Sequence, residues 1–303
     1  MELALLREER HGLIQKQNLT PAELDAIKQL VDTCERFEQL HMRLSWEMVQ
    51  NRPATQVLDY LYYDHGNLVG YLALDNWGMA EKELVGMVHP DYRCRGIFRT
   101  LLDAARVESL QLGVVRLILV CERISQSGQA FVKAVGASYD FAEHEMVLRE
   151  FQPRPDFDER LVFRLAGEQD LDMIVTVLAG SFGDSEVSVR HRVTRLLQDP
   201  TRSYYLATLG GGSVGCGEPV GCLRLDTWDD TVGIYGFGVL PAYQGRGYGR
   251  QMLQEAIRAI QAEGQRIIML DVDVTNTRAY ALYVSCGFRI KATYDYYNLP
   301  TAL

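Results

Sequence analysis

The sequence predicts an α/β fold with a mixed sheet, built as two tandem copies of one domain. The main observation is an internal repeat, in which VGYLALDNW at 69–77 aligns with VGCLRLDTW at 220–228 and six of nine residues are identical. The offset of 151 residues, which places Val69 on Val220, holds without a gap to residue 137. Such a long period indicates a duplicated domain, because the units of solenoid proteins span only about 20 to 50 residues.

The boundary between the copies is predicted within FQPRPDFDER at 151–160, where two prolines and mixed charge are typical of a linker. The predicted domains are therefore residues 1–150 and 151–303. The first helix of each copy has apolar residues that recur at helical spacing. These residues are Leu24, Ile27, Leu30 and Val31 in the first copy and Leu171, Ile174, Val175 and Leu178 in the second.

The second copy then predicts strands and helices in a clear order. A strand at Leu161–Leu165 precedes its first helix, and YYLATL and PVGCLRLDTW form a hairpin across the turn at 210–218. A further strand, TVGIYGFGVL, leads into a glycine-rich loop and an amphipathic helix that ends at Gly264. The last predicted elements are the strand RIIMLDVDV, a short helix capped by TNT and ended by Gly287, and the strand YDYYNL at 294–299.

Composition excludes several classes of function. Lys and Arg number 31 against 40 Asp and Glu, a net charge of −9, which disfavours a broad nucleic-acid or anionic-lipid surface. No apolar run is long enough for a membrane helix, and the charged N-terminus lacks a signal-peptide core. Six cysteines without a CxxC pair predict reduced thiols in a cytoplasmic protein, and six scattered histidines predict no metal site.

The loop PAYQGRGYGR at 241–250 has the composition of an anion site. Unpaired N–H groups in the first turn of a helix attract negative charge, and glycines allow a phosphate to approach the backbone. The loop lacks the GK[ST] of a Walker A motif and the G-x-G-x-x-G of a dinucleotide fold. Taken alone, it is also compatible with a tight turn that only begins a helix.

Two motifs together resemble the GNAT N-acetyltransferase family. QGRGYG at 244–249 matches the pyrophosphate loop Q/R-x-x-G-x-G/A of that family, and the segment Asn276–Phe288 matches its downstream pattern N-x-x-A-x-x-x-Y-x-x-x-G-F. The resemblance implies an acetyl-CoA co-substrate in the second copy. Backbone groups of Phe237 and Val239 would bind its pantetheine arm, and Asn276 would lie near that arm or cap a helix. The pyrophosphate would be held by amides of Gln244, Gly245, Arg246, Gly247, Tyr248, Gly249 and Arg250.

The resemblance also assigns catalytic residues. Tyr283 matches the general acid that protonates the departing thiolate; the alternative is a core aromatic on a short helix. Many family members carry a glutamate on the fourth strand, but Gly233 stands at that position. Asp273 is the candidate that orients the amine or accepts its proton through water, and a solvated strand-end carboxylate is the alternative.

The first copy departs from the family pattern. PDYRCRGIFR at 90–99 keeps Arg95 and Gly96, but Phe98 replaces a small residue and Val132 stands at the position of Tyr283. The first copy is therefore predicted to be non-catalytic. It either binds coenzyme A through Arg93 to Phe98 or encloses the substrate pocket.

The predicted function is acetyl transfer from acetyl-CoA to a primary amine of a small molecule, by direct attack on the thioester. A non-catalytic coenzyme A-binding or regulatory protein and a protein N-terminal or lysine acetyltransferase are the alternatives. Because the duplication supplies the pairing that single-domain relatives obtain by dimerising, a monomer is expected.

Overall fold

The computed structural model describes residues 10–76, 80–155, 158–210, 217–264 and 266–302. Most of the predicted hairpin turn at 210–218, including Cys216, lies outside the described residues. The chain forms two compact units. Unit 1 contains residues up to Glu143 together with the segment from Ala292 onwards, and unit 2 contains His144–Lys291.

These units differ from the predicted domains 1–150 and 151–303 at both ends. The final strand from Ala292 onwards belongs to unit 1, where it pairs antiparallel with another strand from Tyr294 opposite Glu122 to Pro300 opposite Arg116. At the other end, Met146 is fully buried in the core of unit 2. Strand pairing between distant segments is not visible in local sequence patterns. A boundary predicted from the linker composition at 151–160 therefore does not coincide with the limits of the two units.

The sheet of unit 1 has strand order β1-β2-β3-β4-β5-β12, and only the β4–β5 pair is parallel. Two further strands, β6 Ser138–Leu148 and β12 Phe288–Pro300, contribute residues to both units. The remaining elements of unit 1 are β1 Gly12–Lys16, α1 Pro21–Glu38, α2 Trp46–Gln50, β2 Asp59–Asp64, β3 Asn67–Asn76, β4 Glu81–Val88, α3 Ile97–Gln111, β5 Arg116–Glu122 and α4 Gln126–Ala134.

Unit 2 repeats this plan with strand order β7-β8-β9-β10-β11, and its β10–β11 pair is parallel. The mixed sheet and each strand and helix predicted for the second copy are confirmed. The elements are β7 Leu161–Leu165, α5 Leu171–Phe182, α6 Glu186–Leu197, β8 Arg202–Leu209, β9 Glu218–Trp228, β10 Thr231–Val239, α7 Tyr248–Ala262, β11 Ile267–Asp273 and α8 Thr277–Cys286.

Helices cover both faces of the sheet in unit 2. Apolar residues of α7 pack with alternate residues of the strands, as Leu253 does with Ile234 and Leu270. On the opposite face, α5 and α6 pack against β8, where Ile174 and Tyr204 are buried. Each strand therefore directs one set of side chains towards α7 and the other towards α5 and α6. No helix among the described residues is long and apolar enough to cross a membrane.

Candidate active site

Strands β10 and β11 separate part-way along their length. Their parallel pairing runs from Thr231 opposite Ile267 to Ile234 opposite Leu270 and ends there. Strand β10 also bulges against β9 between Tyr235 and Gly238, and the intervening Gly236 has φ +54°. The backbone of Phe237, one of the predicted pantetheine contacts, lies beyond the last β10–β11 pair. The ladder between the two strands is therefore open at Phe237, where the pantetheine arm is predicted to bind.

The glycine-rich loop begins α7 in the way the sequence predicts. Gly245 and Gly247 have φ +80° and +87°, a left-handed conformation that favours glycine, and Gly247 is the N-cap of α7. Since α7 has 15 residues, its first turn directs free N–H groups and the positive end of the helix dipole at this loop. A Cβ on Gly249 would lie 3.6 Å from Leu282 and from Val239, an ordinary van der Waals distance, so the packing around Gly249 does not itself require glycine.

The side chains of the loop have local partners. Gln244 donates to the carbonyl of Val239 at 2.9 Å and accepts a hydrogen bond from Arg278 at 3.0 Å. Arg250 donates to the Ser285 hydroxyl at 2.7 Å. Two further predicted binding residues also point elsewhere, because the Arg246 guanidinium lies over the Tyr243 ring and the buried Tyr248 donates to Asp158. Backbone amides, more than side chains, are thus the donors that the loop offers to an anion.

Tyr283 lies on α8 beside this opening. Its side chain is 7% exposed, and its ring centroid is 6.2 Å from that of Phe237 and 6.1 Å from that of Phe288. Burial raises the pKa of the Tyr283 phenol above its ordinary value. Its hydroxyl has no hydrogen-bond partner in the part of the chain that the structure describes. Tyr283 therefore stays neutral at pH 7 with a proton to donate.

Asn276 and Asp273 both make local contacts. Asn276 is the N-cap of α8, and its side-chain oxygen accepts from the backbone N–H of Ala279 at 3.1 Å. Asp273 ends β11, where its Oδ1 accepts from the backbone N–H of Thr275 at 2.7 Å and from the Thr275 hydroxyl. One oxygen of Asp273 is therefore engaged in a strand-end turn.

The structure explains why the fourth strand of the second copy carries glycine at 233. A Cβ on Gly233 would lie 2.4 Å from the Tyr235 ring and 2.8 Å from the Trp228 ring, so both rings would have to shift to admit a larger residue. Asp226 lies directly across from Gly233 in the β9–β10 register. Its carboxylate is held by Arg224, which also lies over the Tyr235 ring at 5.4 Å. In the sequence, the only sign of this pair of charges is the alternation of Arg224 and Asp226 on β9.

Unit 1 contains a cavity of about 470 Å³ at the equivalent opening between β4 and β5. The parallel β4–β5 pairing ends at Leu84 opposite Leu119. Gly96 caps α3 with φ +80°, and Cys94 at φ +60° occupies the position of Gly245. Tyr294 of the final strand also lines this cavity. From the sequence, the complete set of motifs was in the second copy, and coenzyme A binding through Arg93 to Phe98 of the first copy was one of two alternatives; these residues border the cavity.

The described residues contain no group of three potential metal ligands. Within the same residues five cysteines are free thiols, namely Cys34, Cys94, Cys121, Cys222 and Cys286.

The fold, the glycine loops and the separated strands together define an acetyltransferase of the GNAT class. The model of the acetyltransferase (GNAT) family matches the chain twice, at residues 24–137 and 172–288. The chain therefore belongs to this family as a tandem member, and it is an acetyl-CoA-dependent N-acetyltransferase.

Individual relatives agree with the tandem organisation. A mycothiol acetyltransferase of Acidothermus cellulolyticus is 26% identical over 316 residues, which cover 94% of this chain and 92% of that protein. An N-alpha-acetyltransferase RimI of Mycobacterium tuberculosis is 36% identical over 110 residues, or 36% of this chain and 66% of that protein. A GCN5-related N-acetyltransferase from Sphaerobacter thermophilus has the same fold, with a TM-score of 0.79 at 20% identity over 95% of this chain and 96% of that chain.

Proposed function

We propose that unit 2 is the catalytic unit and that it acetylates a primary amine of a small molecule. The observation that carries this proposal is the convergence within one unit of a glycine loop at a helix N-terminus, an opening between parallel strands and a buried neutral tyrosine. Backbone groups of Phe237 and Val239 would bind the pantetheine arm. The amides from Gln244 to Arg250 would hold the pyrophosphate.

Each proton in the proposed reaction has a place to go. The neutral amine attacks the thioester carbonyl, and collapse of the tetrahedral adduct breaks the C–S bond. Tyr283 donates its proton to the departing thiolate, because a buried neutral phenol next to a developing charge is a suitable acid. The proton lost by the amine passes to Asp273 through water, by way of the oxygen that the Thr275 turn leaves open.

Unit 1 is proposed to bind a ligand of the coenzyme A class without turning it over. The loop that caps α3 with Gly96 supports binding, and so does the cavity between β4 and β5. Arg99 lines this cavity with an exposed side chain that has no partner among the described residues. Val132 at the position of Tyr283 offers no proton, which is why turnover is assigned to unit 2.

The acceptor class is proposed from the relatives. Likeness to mycothiol acetyltransferases extends over almost the whole chain, which favours a small-molecule amine. A protein N-terminal amine is the second candidate, since the likeness to RimI is higher in identity but shorter. Thiol release from acetyl-CoA should be measured with small amines, including amino sugars and amino acids, and with peptides that carry a free N-terminus. Activity confined to the peptides would contradict the proposal. We also propose that the protein is a monomer and that it acts in the cytoplasm.

Tyr283→Phe tests the catalytic assignment. The variant keeps the packing with Phe237 and removes the proton donor, so kcat should fall about 100-fold or more while the Kd for acetyl-CoA changes less than about threefold. Tyr280→Phe on the same helix is the matched control and should keep its activity. Unchanged turnover in Tyr283→Phe would remove Tyr283 from the mechanism.

A further inference from the structure

Glu38, the last residue of α1, connects the two sides of the opening in unit 1. Its Oε1 accepts a hydrogen bond from the Arg93 guanidinium at 2.7 Å. Its Oε2 accepts from the hydroxyl of Ser125 at 3.0 Å and from that of Ser127 at 3.1 Å. Arg93 begins the glycine loop after β4, whereas Ser125 is the N-cap of α4, which follows β5. All four residues line the cavity.

The Glu38 carboxylate is ionised in this position. Burial alone would raise its pKa, but the hydrogen bonds from Ser127 and Ser125 and the charge of Arg93 lower the pKa below its ordinary value. The charge of Arg93 is thus offset by a carboxylate of the same chain. A negatively charged ligand entering the cavity would meet Glu38 as well as Arg93.

The duplication provides an internal comparison. Gln244 corresponds to Arg93 at the offset of 151, and each donates to the carbonyl of the last residue of its strand, Val239 or Val88. Arg278 corresponds to Ser127, and Arg278 is the second partner of Gln244. Unit 2 therefore has a cation where unit 1 has a hydroxyl bound to a carboxylate. The first helix of unit 2 ends at Phe182 and Gly183 and supplies no acidic partner for Gln244 or Arg278 among the described residues.

We propose that Glu38 is an intramolecular competitor for the anion site of unit 1. It occupies the donors Arg93, Ser125 and Ser127, so a phosphate-bearing ligand of the coenzyme A class binds tightly only when this contact is broken. The inference rests on the proposed retention of coenzyme A binding by unit 1. It adds that occupancy of this unit is controlled by a contact from α1.

The segment after Glu38 links this contact to the wall of the cavity. The backbone N–H of His41 donates to the Glu122 carboxylate at the end of β5, and the Tyr294 hydroxyl donates to the carbonyl of His41 at 3.0 Å. Leu40, His41 and Met42 themselves line the cavity. Glu38 therefore ends the helix that leads directly into a segment that shapes the same cavity.

Glu38→Gln is the decisive variant, because the amide keeps the size of the side chain and an acceptor oxygen but removes the charge. Coenzyme A should be titrated into the full chain by calorimetry. Hydrogen exchange of α3 in unit 1 and of α7 in unit 2 should report which unit responds. In Glu38→Gln, coenzyme A should bind unit 1 about tenfold more tightly than in the unchanged chain, and the gain should shrink at high salt.

Two controls make the result specific. Asp32→Asn removes one exposed negative charge from the same helix without touching the cavity and should leave binding unchanged. Adding Arg99→Ala to Glu38→Gln should abolish the new protection of α3, because Arg99 is an exposed cation in the first turn of α3 that lines the cavity. Glu38→Ala, with its fold verified by thermal unfolding, should repeat the gain.

Unchanged or weaker binding at unit 1 in both folded Glu38 variants would overturn the proposal. If Glu38 only stabilised the structure of the cavity, its replacement would weaken the binding of coenzyme A to unit 1. Two other results would contradict the proposed catalytic function instead. One is that coenzyme A does not protect α7 from hydrogen exchange in the unchanged chain, and the other is unaltered turnover in Tyr283→Phe. Turnover at unit 2 in Glu38→Gln should match that of the unchanged chain.

Discussion

Tyr283 and Val132 occupy equivalent positions in the two copies, and this single difference is the basis for the proposal that unit 2 is the catalytic unit. The sequence pattern identifies Tyr283 from its spacing to Asn276 and Gly287. The structure adds that the phenol is buried beside Phe237, where burial raises its pKa above the ordinary value. Burial depends on Phe237 and Phe288, which come from separate elements, so the sequence alone did not establish it.

Other individual residues were invisible in the sequence, and Arg52 of unit 1 is the clearest. Its side chain is 2% exposed and donates to both oxygens of the fully buried Asp59 at 2.9 Å and to Asp75 at 2.7 Å. Tyr71 also donates to Asp59 at 2.6 Å. No local pattern marks a charge that must be buried, because its partners lie on different strands.

Arg52→Met should destabilise unit 1 strongly. Asp59 would be left as a buried carboxylate without its cation, at a cost of about 3–5 kcal/mol in the free energy of unfolding. Urea unfolding followed by circular dichroism measures the loss. The exposed pair of Arg192 and Asp184 provides a control, since Arg192→Met should cost less than about 1 kcal/mol. Equal losses in the two variants would contradict this account.

At the scale of elements, the sequence predicted the start and the end of α8 but not the presence of α6, because the caps of α8 are local chemistry. Asn276 caps α8 and Gly287 ends it in the left-handed conformation, as predicted. The sequence did not show that a second feature, besides the left-handed φ of +105°, favours glycine at position 287. A Cβ there would lie 1.7 Å from the carbonyl oxygen of Glu150.

The duplication provides a glycine in the first copy, Gly136, with which the effect of the close contact at Gly287 can be compared. Gly136 ends α4 at the equivalent position with φ +72°, and a Cβ there would meet nothing within 4 Å. Gly136→Ala should therefore cost only the backbone strain, about 1 kcal/mol. Gly287→Ala should cost about 3 kcal/mol or more, because backbone must move as well. Thermal unfolding of both variants measures the difference, and losses of similar size would show that the close contact with Glu150 relaxes easily.

At the scale of the whole molecule, the last strand changes the division of the chain. Residues from Ala292 onwards belong to unit 1, although they follow unit 2 in the sequence. Arg123 pairs with Asp295 at 2.7 Å, and Gln129 accepts a hydrogen bond from Tyr297 at 2.6 Å. The final strand thereby connects to both β5 and α4 of unit 1.

Ending the chain at Lys291 should therefore damage unit 1 first. Hydrogen exchange should show loss of protection in β5, whose partner strand is gone, while α7 of unit 2 stays protected. Removal of residues 302 and 303 alone is the control and should leave the protection of β5 in place. Greater exposure of α7 than of β5 would instead support a division of the chain at residue 151.

The sequence by itself determined the duplicated architecture, the order of the elements in the second copy and the glycine loop with its downstream tyrosine. These features follow from the periodicity of apolar residues and from turn residues, which depend on interactions between residues that are near one another in the sequence. The tertiary structure decided which unit the last strand completes, why Gly233 has no side chain and how Glu38 meets Arg93 across 55 residues. Those outcomes depend on pairing, burial and charge between distant segments, which a local pattern does not encode.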